Sequence, residues 1–173
     1  MLSLQAIWSE LTSEDAQPPY LLLDAAGFER GFGDIPADIF ARLECLFSGD
    51  LAEELVDVAP YLGQLSAIDD GSKKVVGELL ARQQAIMVQL QDPRVTFAEL
   101  HRHFRKFNVV YGPEGNPLFF RYYDSRVLLD VLGALDPAQR ASFFGPIAWL
   151  LVADGADGVA RCYRRGDEWI VNR

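Results

Sequence analysis

Leu118-Phe-Phe-Arg-Tyr-Tyr-Asp-Ser-Arg126 follows Asn108-Val-Val-Tyr111 across the loop Gly112-Pro-Glu-Gly-Asn116, and these two runs set the architecture of the second half of the chain. Both are rich in aromatic and β-branched residues, and the loop supplies the glycines and proline that a tight turn demands, so the pair predicts a β-hairpin. In a strand over 118–123, Leu118, Phe120 and Tyr122 point to one side while Phe119, Arg121 and Tyr123 point to the other. Arg121 then lies between two aromatics, suited to a cation–π contact and to pairing with a carboxylate such as Asp124. Asp124 is expected to cap a helix carrying Val127, Leu128, Val131 and Leu132, with Arg126 in its first turn. Two readings of the set stand open. It is an arginine–aspartate joint that locks strand to helix, or part of a recognition groove for a partner peptide.

Elements flank this stretch on both sides. Downstream, Asp136-Pro-Ala-Gln139 combines a cap, a first-turn proline and an amide at the capping-box position, and Gly145-Pro146 stops that helix. Residues 147–152, 159–164 and 168–171 read as strands separated by Gly- and Asp-rich turns. Upstream, Leu4, Ile7, Trp8 and Leu11 share one helical face, and Tyr20-Leu-Leu-Leu-Asp24 reads as a buried strand. Pro36 with Ile39, Leu43, Leu46 and Phe47 predicts a helix ending near Gly49. Residues 55–65 predict a strand bent or ended at Pro60. Ser72 is expected to cap a helix faced by Val75, Val76, Leu79 and Leu80, and residues 85–90 form a third strand. Thr96 with Glu99 matches a capping box ahead of the stripe Phe97, Leu100, Phe104 and Phe107. The alternation of strand and helix in the first half favours a parallel or mixed sheet. The expected fold is a single α/β domain, a mixed β-sheet flanked by helices with a hairpin-rich second half.

Composition narrows the function. The 173 residues are 50% hydrophobic and 12% aromatic, and a chain of this length buries roughly 70% of its unfolded surface as one domain. Its formal net charge of −9, from 25 acidic against 16 basic residues, would repel a phosphate backbone, so no nucleic-acid partner is expected. The apolar run 147–153 is far short of the about 20 residues a membrane span needs, so no membrane partner is expected either. Met1-Leu-Ser-Leu4 lacks a charged start and soon meets Glu10, Glu14 and Asp15, which points away from a signal peptide and toward the cytoplasm. Cys45 and Cys162 lie in apolar stretches and belong to no CxxC pair, so both are expected as buried free thiols.

No motif carries chemistry outright. His101 and His103 sit about 200° apart on a helix, cannot share a metal, and are expected as solvated surface groups. Gly27, Gly31 and Gly33 lack the spacing of a nucleotide loop, and Glu29 and Asp34 would repel phosphate. No serine lies in a nucleophile elbow. A non-enzymatic protein without cofactor or metal is the expectation.

Four blocks taken together resemble one family: Tyr20-Leu-Leu-Leu-Asp-Ala25, Val58-Ala-Pro-Tyr-Leu62, Leu118-Phe-Phe-Arg-Tyr-Tyr-Asp-Ser-Arg-Val-Leu128 and Phe143-Phe-Gly-Pro146. This chain resembles the type VI secretion effector-adaptor family, also called effector chaperones, whose domain was long catalogued as one of unknown function. The resemblance divides the chain into an N-terminal helix and linker (1–19), an adaptor domain (20–152) and a C-terminal β extension of the same domain (153–173). It implies a cytoplasmic adaptor that binds a cognate secreted effector and aids its loading onto the VgrG-type spike protein. The family motif falls on Phe119, Arg121, Tyr123, Asp124 and Arg126, as partner-binding or motif-structural residues. Ser125 stands where proline is more often found, and residues 77–88 lack the tryptophan- and glycine-rich run of many members. An immunity-like protein that binds and inhibits a toxin, or an enzyme of unrecognised class, are the competing expectations.

Overall fold

The computed structural model describes residues 2–11, 17–33, 35–111, 114–154, 158–166 and 168–173, with backbone alone at 30, 51 and 52. In chain order the elements are α1 (Leu4–Leu11), β1 (Tyr20–Asp24), a 3-10 turn (Ala25–Gly27), β2 (Glu29–Phe32), β3 (Phe40–Cys45), α2 (Asp50–Glu54), β4 (Pro60–Leu65), α3 (Asp70–Ala81) and β5 (Ala85–Leu90). There follow α4 (Phe97–Arg105), β6 (Val109–Tyr111), β7 (Pro117–Phe119), α5 (Leu128–Ala134), α6 (Pro137–Phe144), β8 (Ile147–Asp154), β9 (Gly158–Arg165) and β10 (Glu168–Asn172).

β1 lies inside a seven-stranded sheet of order β10-β9-β8-β5-β1-β4-β3, and its five residues are buried on both faces. Alternate side chains feed two cores. Tyr20 and Leu22, with Ile86, Val88, Leu150 and Cys162, pack under α4, α5 and α6. Leu21 and Leu23, with Ala85, Met87 and Leu151, pack under α1 and α3. A sheet covered by helices on both sides explains why the strands read as continuous apolar runs rather than as alternating ones.

The expected single α/β domain with a hairpin-rich second half is what the chain forms, but strand direction differs from expectation. Every pairing among the described residues is antiparallel. The cause lies in one connection. β4, α3 and β5 make a strand–helix–strand crossover whose two strands run the same way, but β1 is inserted between them and runs antiparallel to both. The βαβ pattern is therefore present in sequence without an adjacent parallel pair. Residues 91–146, with α4, the β6–β7 hairpin, α5 and α6, form one long excursion between neighbouring strands β5 and β8, and it brings the aromatic block to one face of the sheet.

Local expectations are corrected at several points. Residues 40–45 form edge strand β3, not a helix, with a register shift between Phe40 and Arg42. Arg42 and Glu44, two apart, pair on one face of the strand at 2.7 Å, as a period of two requires. Pro60 opens β4 instead of bending a longer strand, a place in a strand where its missing N–H costs little. Asp69, not Ser72, caps α3; Ser72 is the returning partner of the capping box. The capping boxes Thr96–Glu99 and Asp136–Gln139 form as expected. Cys162 is buried but Cys45 only half-buried, and burial pushes the Cys162 thiol up to about 12. Gly112 and Pro113 of the hairpin loop, Asp34, and the turn residues 155–157 and 167 lie outside the described residues.

Candidate functional site

β7 ends at Phe119, four residues short of the expected strand, and in the loop that follows the alternation of sides reaches only to Tyr122, because Tyr123 is buried in the same core. Phe120 and Tyr122 turn into the core under α4–α6. Phe119, Arg121 and Tyr123 together line a surface groove of about 320 Å³, completed by Ala26, Phe47, Leu55 and Val58. Two successive turns hold this shape: the Asp124 N–H donates to the Arg121 carbonyl at 3.0 Å, and the Val127 N–H to the Asp124 carbonyl at 3.2 Å. The Asp124 carboxylate accepts from the Arg126 N–H, an Asx turn just ahead of α5. It does not cap that helix, whose N-cap is Val127 with no side-chain hydrogen bond.

The charged groups form a closed set. Arg126 donates from Nε to Asp124 Oδ1 at 2.8 Å and from Nη2 to Oδ2 at 2.7 Å, a bidentate pair. Arg121 donates from Nη2 to Asp24 Oδ2 at 2.7 Å and lies 3.5 Å from Asp124 Oδ2. Its guanidinium also stands 5.9 Å from the Tyr123 ring centroid, the expected cation–π contact. Hydrogen bonding from Arg126 holds the Asp124 carboxyl below the usual carboxylate range, against the effect of desolvation. Burial would lower the Arg121 pKa, but the hydrogen bond and charge of Asp24, with Asp124, outweigh it and raise it. Ser125, where proline was the family expectation, is buried and donates to the Gln83 carbonyl at the end of α3, at 3.0 Å. A proline there would lack that hydroxyl.

Asp24 is the principal partner of Arg121 that sequence reasoning missed. The signal was a carboxylate ending a fully apolar strand, which needs a partner when buried. Phe47, Leu55 and Val58 carried no such signal. Because Arg121 is 46% exposed at its side chain and Asp24 keeps the Ala26 N–H, solvent screens the pair heavily. Arg121→Ala should therefore stay folded and lose only about 1 kcal/mol in urea denaturation. A loss above about 3 kcal/mol would make Arg121 a structural residue of the core kind.

The two histidines are not surface groups. His101 Nε2 donates to the Cys45 carbonyl at 2.8 Å and His103 Nε2 to the Phe143 carbonyl at 2.7 Å, on different segments. His103 is buried against Phe104 and Phe107, and desolvation lowers its pKa below the usual 6.5. The unfolded chain therefore takes up this proton first, so the stability His103 contributes is present above about pH 6.5 and is lost as the solution acidifies. Urea midpoints should fall between neutral pH and about pH 5, and His103→Gln should flatten that slope. An unchanged slope would assign the pH dependence elsewhere.

Around the groove the surface is apolar. Phe119 is 59% exposed and packs its ring 6.1 Å from Phe47. Val109, Val110, Tyr111 and Leu118 of the same hairpin, and Val56 and Val58 opposite, are also exposed. Exposed apolar side chains gathered beside a concavity, as Phe119 and Val58 are, mark interaction sites. Three of the four sequence blocks meet here, through Asp24, Val58 and the 118–128 segment; Phe143 and Phe144 of the fourth lie beneath, in the core. Residues 19–142 match the model of a family described as "Domain of unknown function (DUF4123)". The chain belongs to the DUF4123 family. The match takes in the groove and its arginine–aspartate set and ends within α6 of this DUF4123 domain. No curated protein and no solved structure matches the chain.

Proposed function

We infer that this DUF4123 protein is a non-enzymatic, cytoplasmic adaptor that binds a cognate type VI secretion effector and aids its loading onto the VgrG-type spike. The observation that carries the reading is the groove itself. Phe119 and Arg121 of the family-like motif face outward along an apolar surface bordered by the buried Tyr123, while Phe120, Tyr122 and Asp124 of the same segment are spent on the fold. Binding, rather than catalysis, is supported by the commitment of the polar groups to each other: Asp24 to Arg121, and Asp124 to Arg126. Exposed aromatics beside a half-exposed arginine are the side chains that dominate protein interfaces. That no helix of the described residues is long and apolar enough to cross a membrane accords with the same reading.

The test is co-expression with the product of the adjacent reading frame. The adaptor should copurify with that product and also contact the spike, and its deletion should block secretion without relieving toxicity. If the chain neutralised the toxin and were dispensable for delivery, it would be an immunity protein instead. No complex with either partner would overturn the reading.

A further inference from the structure

We propose that the groove receives a partner segment in which an acidic side chain lies close in sequence to apolar anchors, the carboxylate meeting Arg126 and Arg82 in a polar hollow beside the groove. The proposal rests on the effector-binding reading and names the chemistry of what is bound. The hollow, about 140 Å³, is lined by Asp24, Ala26, Gly27, Arg82, Gln83, Gln84 and Arg126. Ala26 belongs to both walls, and the two concavities meet at the Arg121–Asp24 pair. One continuous surface is thus apolar at one end and cationic at the other.

Charge placement selects the occupant. The Asp24 and Asp124 side chains are each 6% exposed, whereas those of Arg121 and Arg126 are 46% and 58% exposed. The anions of the set are buried and its cations face outward. Arg82, at the C-terminal cap of α3, is exposed and makes no ion pair among the described residues. Within the hollow itself two guanidinia, Arg82 and Arg126, face one carboxylate, Asp24, and the carboxylates Glu29 and Glu78 line the neighbouring concavity on the far side of Arg82. Arg126 spends Nε and Nη2 on Asp124, leaving the rest of its fork for a second acceptor. A carboxylate entering the hollow would gain charge-assisted hydrogen bonds there. A basic side chain would be repelled, and an apolar one would strip water from guanidinia without replacing their partners.

A display library of random peptides selected on the immobilised full chain tests this. The selected peptides should combine at least two large apolar residues with an Asp or Glu. Amidating that acid should weaken binding about tenfold. Arg82→Glu should do the same, with affinity falling as salt rises, and Phe119→Ser should weaken the same peptides. Recovery of no groove binder, of binders without an acid, or of binders indifferent to Arg82→Glu would overturn the proposal. The copurified effector separates the two claims. Equal capture by wild type and Arg82→Glu leaves the adaptor reading standing and overturns the acidic anchor. Acidic–apolar peptides that bind the groove of a chain capturing no effector support the anchor and overturn the adaptor reading.

Discussion

Tyr122→Ala is expected to lower the unfolding free energy by about 4 kcal/mol, the middle of the range for truncating a buried aromatic. Tyr122 is fully buried. Its ring stacks on Phe104 at 5.6 Å between centroids and 7° between planes, and meets Phe107, Phe120, Tyr123 and Phe143 edge-on or tilted. Truncation would open a cavity among rings held by several neighbours, so little collapse can refill it. It would also remove the hydroxyl that donates to Asn108 Oδ1 at 3.0 Å, while Asn108 Nδ2 stays tied to the Leu46 carbonyl. Tyr122→Phe isolates that second loss and should cost about 1–2 kcal/mol. Denaturation midpoints of the two variants separate packing from hydrogen bonding. A Tyr122→Ala loss below about 2 kcal/mol would mean the aromatic cluster does not hold the 119–126 segment in place.

Gly145→Ala should be nearly as damaging. Gly145 closes α6 at φ +41°, a conformation costing a side-chain-bearing residue on the order of 1–3 kcal/mol. A Cβ there would lie 2.5 Å from His103 Cε1. The imidazole cannot retreat, because Nε2 is bonded to the Phe143 carbonyl and Phe104 and Phe107 pack its ring. Overpacking of this kind adds about 1–3 kcal/mol, for a total near 4. His103→Ala in the Gly145→Ala background should recover part of the loss, a non-additivity that measures the clash. Simple addition of the two losses would place the damage in the backbone alone.

The Phe-Phe-Gly-Pro block thus owes its residue types to packing: two buried rings, a glycine pressed against a buried histidine, and a proline after the helix. Its presence was legible in sequence, but its link to His103 was not, because forty residues separate the two. β1, α4, the capping boxes of α4 and α6 and the tail strands were legible for local reasons, through apolar runs and cap chemistry. β3 was not. Of Ile39, Leu43, Leu46 and Phe47, which recur at helical intervals, only Leu43 lies in the strand, and a register shift after Phe40 interrupts the strand's period of two. The antiparallel sheet was hidden for a similar reason, since the strand inserted between β4 and β5 comes from much earlier in the chain. At the site, the expected sides hold for Phe119, Phe120, Arg121 and Tyr122, whereas Leu118 is exposed and Tyr123 is buried beside Tyr122. Arg121 was matched to its sequence neighbour Asp124, whereas its closest carboxylate, Asp24, comes from the end of a distant strand.

The segment 119–126 has two roles: Tyr122, Tyr123, Asp124 and Ser125 are buried and hold the fold, while Phe119, Arg121 and Arg126 are exposed and present a binding surface. The most direct measurement sets effector capture by Phe119→Ser beside its urea midpoint. Phe119 is mostly exposed, so stability should change by no more than about 1 kcal/mol. Loss of an aromatic anchor should weaken capture at least tenfold, about 1.4 kcal/mol. Capture equal to wild type, or a variant that unfolds, would contradict the division of the segment into an inner and an outer face.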